Sequence, residues 1–172
     1  MKGRERHDRN ERNNRDDSRE KITVAGSEDA AEILGLQKRA FVTEAQAHGN
    51  WDIEPLRQTL DEVVADFGSH IFLKAMDSGG AIVGSVKFRA LDGHVWVGKL
   101  IVDPACRGRG LGRRLLAEVE ALNPGAGRFQ LRTAASSDHN IRLYESVGYR
   151  VVREFRDPAQ DGLVMAEMVK PF

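Results

Sequence analysis

With a single cysteine, Cys106, in 172 residues, the chain cannot close an internal disulfide. A reducing compartment is the simple expectation. Net charge is missing too: 26 Lys and Arg stand against 26 Asp and Glu. A protein built to grip nucleic acid carries a basic excess, and this chain as a whole has none. No apolar run approaches the ~18 residues that span a bilayer, and the N-terminus lacks the apolar core of a secretory signal. These absences predict a cytoplasmic protein that engages neither membrane nor nucleic acid. What is present is ordinary for a globular domain: 41% of the residues are hydrophobic, and a chain of this length buries a core without staples.

The opening stretch, MKGRERHDRNERNNRDDSRE, holds one apolar residue, Met1. Ordering it would bury nothing to offset the entropy lost. Residues 1–20 are therefore expected to form a disordered, mixed-charge tail, and residues 21–172 the folded domain. A basic arm on nucleic acid is the alternative, disfavoured because acids nearly balance the bases.

From Ile22 the pattern alternates between strand and helix periods. KITVAG reads as a short strand. SEDAAEILGLQKRAFVTEAQAH reads as a helix capped by Ser27 and stopped by Gly49 and Asn50. EPLRQTLDEVVADF is a second helix with Pro55 in its first turn. HIFLKAM, AIVGSVKFRAL and HVWVGKLIV follow as an antiparallel meander, turned at DSGG and LDGH. LGRRLLAEVEAL is an amphipathic helix with Leu111, Leu115, Leu116, Val119 and Leu122 on one face. RFQLRTA is a buried strand, DHNIRLYESV a short helix ended by Gly148, and YRVVREF and LVMAEMV the last strands. The order β-α-α-β-β-β-α-β-α-β-β predicts an α/β (α+β) domain: one mixed, mostly antiparallel sheet flanked by helices.

The stretch VDPACRGRGLGRRLL, residues 102–116, sets three glycines among four arginines between a strand and a helix. A helix start leaves amides unpaired and carries partial positive charge. Glycine lets an anion reach that backbone. The guest this suits is a phosphate or diphosphate. A Walker loop would end Gly-Lys-Ser/Thr, but Gly112 is followed by Arg113 and Arg114. A dinucleotide fingerprint would need G-x-G-x-x-G and an acid roughly 20 residues on, where Arg132 stands.

These residues resemble motif A of the GNAT superfamily of N-acetyltransferases, with Arg107, Gly110 and Gly112 in the signature positions. SSDHNIRLYESVGYR resembles motif B, with Tyr144 and the Gly148–Tyr149 pair. The two motifs stand in the family's order, one helix and one strand apart. The resemblance implies a GNAT fold of about seven strands and four helices with a central splay. It also implies acetyl-CoA as co-substrate, no metal, and acetyl transfer to a primary amine by direct attack in a ternary complex.

Residue by residue, it implies that Arg107, Gly108, Arg109, Gly110, Leu111 and Gly112 offer amides to the diphosphate, with Arg113 assisting. Leu100, Ile101 and Val102 would pair through their open edge with the pantetheine arm, and Gly98 would start the splay as a bulge. Asn140 would bond the pantetheine; in many relatives the position of Ser137 does so instead. Tyr144 stands where the family places its general acid, and the Leu100 amide where it places the oxyanion donor.

The base is open. Trp96 occupies a position where some relatives carry Glu. Glu44 is preferred because the first two helices wall the acceptor pocket; Asp92, His94, His139 and a water relay are the alternatives. Cys106 lies beside Arg107 near a helix start, features that lower a thiol's pKa, but at the diphosphate end, so it reads as a filler. Trp51 is a wall residue or simple packing. The acceptor is a small amine or a protein N-terminus or lysine, and homodimers occur among relatives. A non-catalytic acyl-CoA sensor and a tail-mediated interaction protein are the rival readings.

Overall fold

The computed structural model describes residues 19–171, His48 by its backbone alone. Residues 1–18 of the expected tail lie outside the described residues. Glu20, at the tail's expected end, forms an ion pair with Arg114 at 2.7 Å.

The strands are β1 (Lys21–Val24), β2 (Ile71–Met76), β3 (Ile82–Leu91), β4 (His94–Val102), β5 (Arg128–Ala134), β6 (Arg150–Arg156) and β7 (Val164–Pro171). The helices are α1 (Ala30–His48), α2 (Glu54–Arg57), α3 (Leu60–Asp66), α4 (Leu111–Ala121) and α5 (Asp138–Glu145), with 3-10 turns at Ser27–Asp29 and Pro104–Cys106. Among the described residues the strands form one sheet of seven, ordered β1-β2-β3-β4-β5-β7-β6. Every neighbour is antiparallel except the β4–β5 pair. The expected architecture is present.

Three local expectations need correction. The second helix breaks in two. Gln58 turns extended, and Thr59 caps α3 in a reciprocal box with Glu62, a T-x-x-E signal that outweighs continuous apolar spacing. Ser27 is not the cap of α1; it begins the 3-10 turn, where the Asp29 carboxylate accepts from the Gly26 amide at 3.0 Å. β5 is buried on one face only.

α4 packs Leu111, Leu115, Leu116 and Val119 against Val95, Val97, Phe129, Leu131 and Met168. Each such side chain contributes ~1.5–3 kcal/mol when fully buried. Leu122, expected on this face, is 47% exposed beyond the helix end. Close seating of α4 depends on Gly84, where a Cβ would lie 3.1 Å from both Leu111 and Leu115. On the opposite face α1 packs Ile33, Leu36 and Ala40 against Phe72, Ile82 and Ile101.

Candidate active site

β4 and β5 run side by side but pair only at Val95–Phe129 and Trp96–Gln130. From Val97 and Leu131 onward the two strands part, so the splay expected from the sequence is there. Its origin lies on the β3 side. Lys87 pairs with Gly98 and Ser85 with Ile101, leaving Val86 opposite two residues, Lys99 and Leu100. Such a bulge bends its strand and re-aims the groups on it. The expectation put the bend at Gly98; the left-handed residue is Lys99, at φ 44°, the one non-glycine with positive φ among the described residues.

A left-handed lysine costs ~1–2 kcal/mol, and its side chain is well held. Lys99 Nζ donates to Glu54 Oε1 at 2.9 Å and to Gln58 Oε1. Gln58 also accepts from Gln37 at 2.9 Å and donates to Asp66 at 3.0 Å, while Lys87 pairs with Asp66 at 2.7 Å. Burial pushes the Lys99 ammonium below its usual range, against the bond it donates to Glu54. Burial alone would raise Asp66, but Lys87 and Gln58 outweigh it and hold the carboxyl low.

The glycine loop follows β4 directly. Asp103 fixes its start, accepting from the Ala105 amide at 3.0 Å and from Arg39 of α1 at 3.3 Å. Gly108 and Gly110 are left-handed, at φ 76° and 79°. A Cβ on either would meet nothing within 4 Å. These glycines therefore supply backbone direction, and the space in front of them is open. No side chain caps α4, whose N-cap is Gly110; its first amides face that space with their partial positive charge. Two of the four arginines are occupied structurally: Arg107 donates to the Ala40 carbonyl of α1 at 2.8 Å, and Arg114 to Glu20. Arg109 and Arg113 are exposed. The Cys106 thiol is pushed up, by burial first and then by Asp103, so the neighbouring arginines do not activate it.

Gly112 is buried where β4, α4 and α5 converge; a Cβ there would lie 3.4 Å from Leu143 and 3.7 Å from Leu100. Leu100 and Val102 pack beside the core cluster that contains Tyr144. Tyr144 is 8% exposed, its ring edge-on to Tyr149 at 5.9 Å. Burial pushes its phenol well above the usual range, and the charge of Glu44 adds to the shift. Glu44 on α1 is thus close enough to act on Tyr144 on α5. Asn140 donates to Thr133 Oγ at 3.5 Å, tying α5 to β5 beside the split. Two other base candidates lie apart. His94 and Asp92 sit at the β3–β4 turn, their ring and carbonyl 3.2 Å apart. Six residues of extended strand, ~20 Å, separate His94 from Leu100. His139 and Trp51 are exposed.

Burial also raises Tyr149, to which Glu120 adds. Both phenols resist ionisation in the fold, whereas an unfolded chain releases their protons near the ordinary value of 10.0. Their contribution is complete below that pH and declines above it. Thermal unfolding is expected to show a midpoint that falls progressively as pH rises above about 10, less steeply in Tyr149→Phe.

A cluster that sequence reasoning missed lies on the sheet face opposite α4. The Arg132 guanidinium sits 5.0 Å from the Trp96 ring and 4.8 Å from Phe155. Glu167 Oε2 accepts from Arg132 Nε and Nη2, both at 3.2 Å, and from Arg153 Nη2 at 3.0 Å. The one sequence signal was an arginine inside a strand whose neighbours alternate toward the core.

A family model described as the acetyltransferase (GNAT) family matches residues 30–149. The chain belongs to the GNAT acetyltransferases. The mycothiol acetyltransferase of Kineococcus radiotolerans is 35% identical over 129 residues, which is 73% of this GNAT chain and 40% of that protein. The chain spans two fifths or less of the length of the curated relatives it matches. Two solved structures share the fold. One is the PaiA N-acetyltransferase of Thermoplasma acidophilum in complex with coenzyme A: TM-score 0.73, 16% identity, 89% of this chain and 99% of that one. The other is the ribosomal-protein-S18-alanine N-acetyltransferase of Escherichia coli: TM-score 0.72, 20% identity, 88% and 93% covered. Among the described residues, no helix of this GNAT chain is long and apolar enough to cross a membrane.

Proposed function

We propose that the chain transfers an acetyl group from acetyl-CoA to a primary amine, by direct attack within a ternary complex. The observation that carries this is the split between β4 and β5, opening beside an uncapped helix start and two left-handed glycines. Buried main-chain groups without partners are costly, and a split sheet next to an anion site accommodates a ligand with a diphosphate and an amide-bearing arm. Acetyl-CoA has both, and it supplies the acyl group as a thioester. The coenzyme A held by the PaiA relative supports the same choice.

On this reading the amides of residues 107–112 hold the diphosphate, aided by Arg109 and Arg113, and the main chain of Leu100, Ile101 and Val102 pairs with the arm. The side chain of Asn140 completes that wall. The Leu100 amide, turned by the bulge at Lys99, donates to the carbonyl oxygen as negative charge develops there. Glu44 accepts the proton the amine must lose. Tyr144 donates to the departing sulfur; its raised pKa keeps it protonated throughout the neutral range.

Calorimetric titration with acetyl-CoA, followed by thiol release across a panel of amines, tests the proposal. Binding plus turnover supports it. Binding with no turnover on any amine would assign the chain to the acyl-CoA sensors instead, and an absence of binding would reject both.

A further inference from the structure

We infer that the acceptor amine carries a carboxylate, which Arg132 and Arg153 bind, so that the chain acts on small amino-acid-type molecules. This rests on the acetyl-transfer reading above and names the substrate class for the same site.

The face comes first. Val95 and Val97 of β4, Phe129 and Leu131 of β5 and Met168 of β7 point into the core beneath α4. Strand alternation therefore puts Trp96, Arg132 and Glu167 on the other face, the one where α1 packs over Phe72, Ile82 and Ile101. Gln130 is the last β5 residue paired to β4, and Arg132 is the next on this face. It stands at the mouth of the split.

Charge comes second. Two guanidinium groups converge on one carboxylate oxygen, so the cluster carries an excess positive charge. The Glu167 side chain is 10% exposed, whereas those of Arg132 and Arg153 are 41% and 58% exposed. The bond from Arg153, and then that from Arg132 against burial, hold the Glu167 carboxyl below its usual range. It stays ionised at neutral pH and leaves the excess at one charge. Lys99 and Lys87, facing this side from β4 and β3, are matched by Glu54 and Asp66.

Orientation comes third. The Trp96 and Phe155 rings lie 5.0 Å and 4.8 Å from the Arg132 guanidinium and restrict its movement. A fixed planar guanidinium suits a carboxylate, which it binds through paired N–H groups. Arg132 lies two residues beyond the last β4–β5 pair, so an anion bound to it sits at the mouth of the split, and an amine a few bonds away is directed toward the parted edge of β4. A polyamine would bring positive charge against this excess. Gln160 of the β6–β7 loop donates to the Asp52 carbonyl ahead of α2 at 3.2 Å, linking those two loops.

The test uses the full chain, acetyl-CoA, a set of α-amino acids, their carboxamides and a linear polyamine, with thiol release as the readout. Free acids are expected to exceed their amides in kcat/KM by about 10–100-fold, the range of a charge-assisted hydrogen bond. Arg132→Gln is expected to collapse that ratio toward one, mainly through KM for the acids. Arg153→Gln should lower it less. Should Arg132→Gln fail to fold, Arg132→Lys, which keeps charge but loses the fork, should lower the ratio part-way. Amides or the polyamine outperforming the acids would overturn the inference, as would a ratio that none of these variants moves. Acetyl-CoA binding with no amino acid acetylated would also overturn it while leaving the cofactor reading intact. Loss of acetyl-CoA binding in the unaltered chain would remove the reading beneath it.

Discussion

Tyr144→Phe is expected to lower kcat by about 10²–10⁴-fold, the usual worth of a positioned general acid, with acetyl-CoA affinity falling far less. The substitution keeps the ring that packs edge-on against Tyr149 and removes only the hydroxyl, so the melting temperature should move little. The phenol's environment sharpens the expectation. Burial and then Glu44 raise its pKa above the ordinary 10.0. An alkaline limb from Tyr144 would therefore lie beyond that pH, and a limb nearer neutrality belongs to another group. Single-turnover rates in the two proteins, measured against pH, separate these contributions. A Phe variant with full rate would remove Tyr144 from the chemistry.

The second large effect is expected at the glycine loop. Gly110 holds a left-handed backbone, and alanine there costs ~1–2 kcal/mol. The loop can keep its shape at that cost in stability, or relax and misdirect the first amides of α4. Gly110→Ala should therefore lower both the unfolding midpoint and acetyl-CoA affinity, the latter by about tenfold or more. Gly112→Ala provides the contrast. Its Cβ would meet Leu143 at 3.4 Å and Leu100 at 3.7 Å, ordinary contacts for a folded protein. Melting should hold while affinity falls, because the added methyl lies where α4, α5 and β4 converge beside the split. Calorimetry and thermal unfolding on both variants distinguish direction from space. If both bind acetyl-CoA normally, the loop is not the diphosphate site.

β4 and α4 were legible in the sequence almost to the residue because a period of two ends at Asp103 and a period near four begins at Leu111. The split was legible through the motif between them. The α2–α3 break was written at Thr59 and Glu62 but hidden under apolar spacing that continued through it. Lys99 could not be read: a left-handed lysine has no local signature and is held by Glu54 and Gln58, far away in sequence. Arg132, Arg153 and Glu167 were invisible for a related reason. β7 inserts between β5 and β6, so their meeting depends on the register of non-consecutive strands. The proximity of Glu44 to Tyr144 likewise joins opposite ends of the domain.

The parting of β4 from β5 exposes main chain rather than side chains. Every residue type except proline carries the same amide and carbonyl, so substitutions along that wall change its lining without erasing its capacity to bind. Only changes that re-zip the strands would do so. Such a scaffold can drift far in sequence and keep one handle. Chains of 16% and 20% identity share this fold at TM-scores of 0.73 and 0.72. Novelty is then free to accumulate on the far side of the sheet, where the arginines stand.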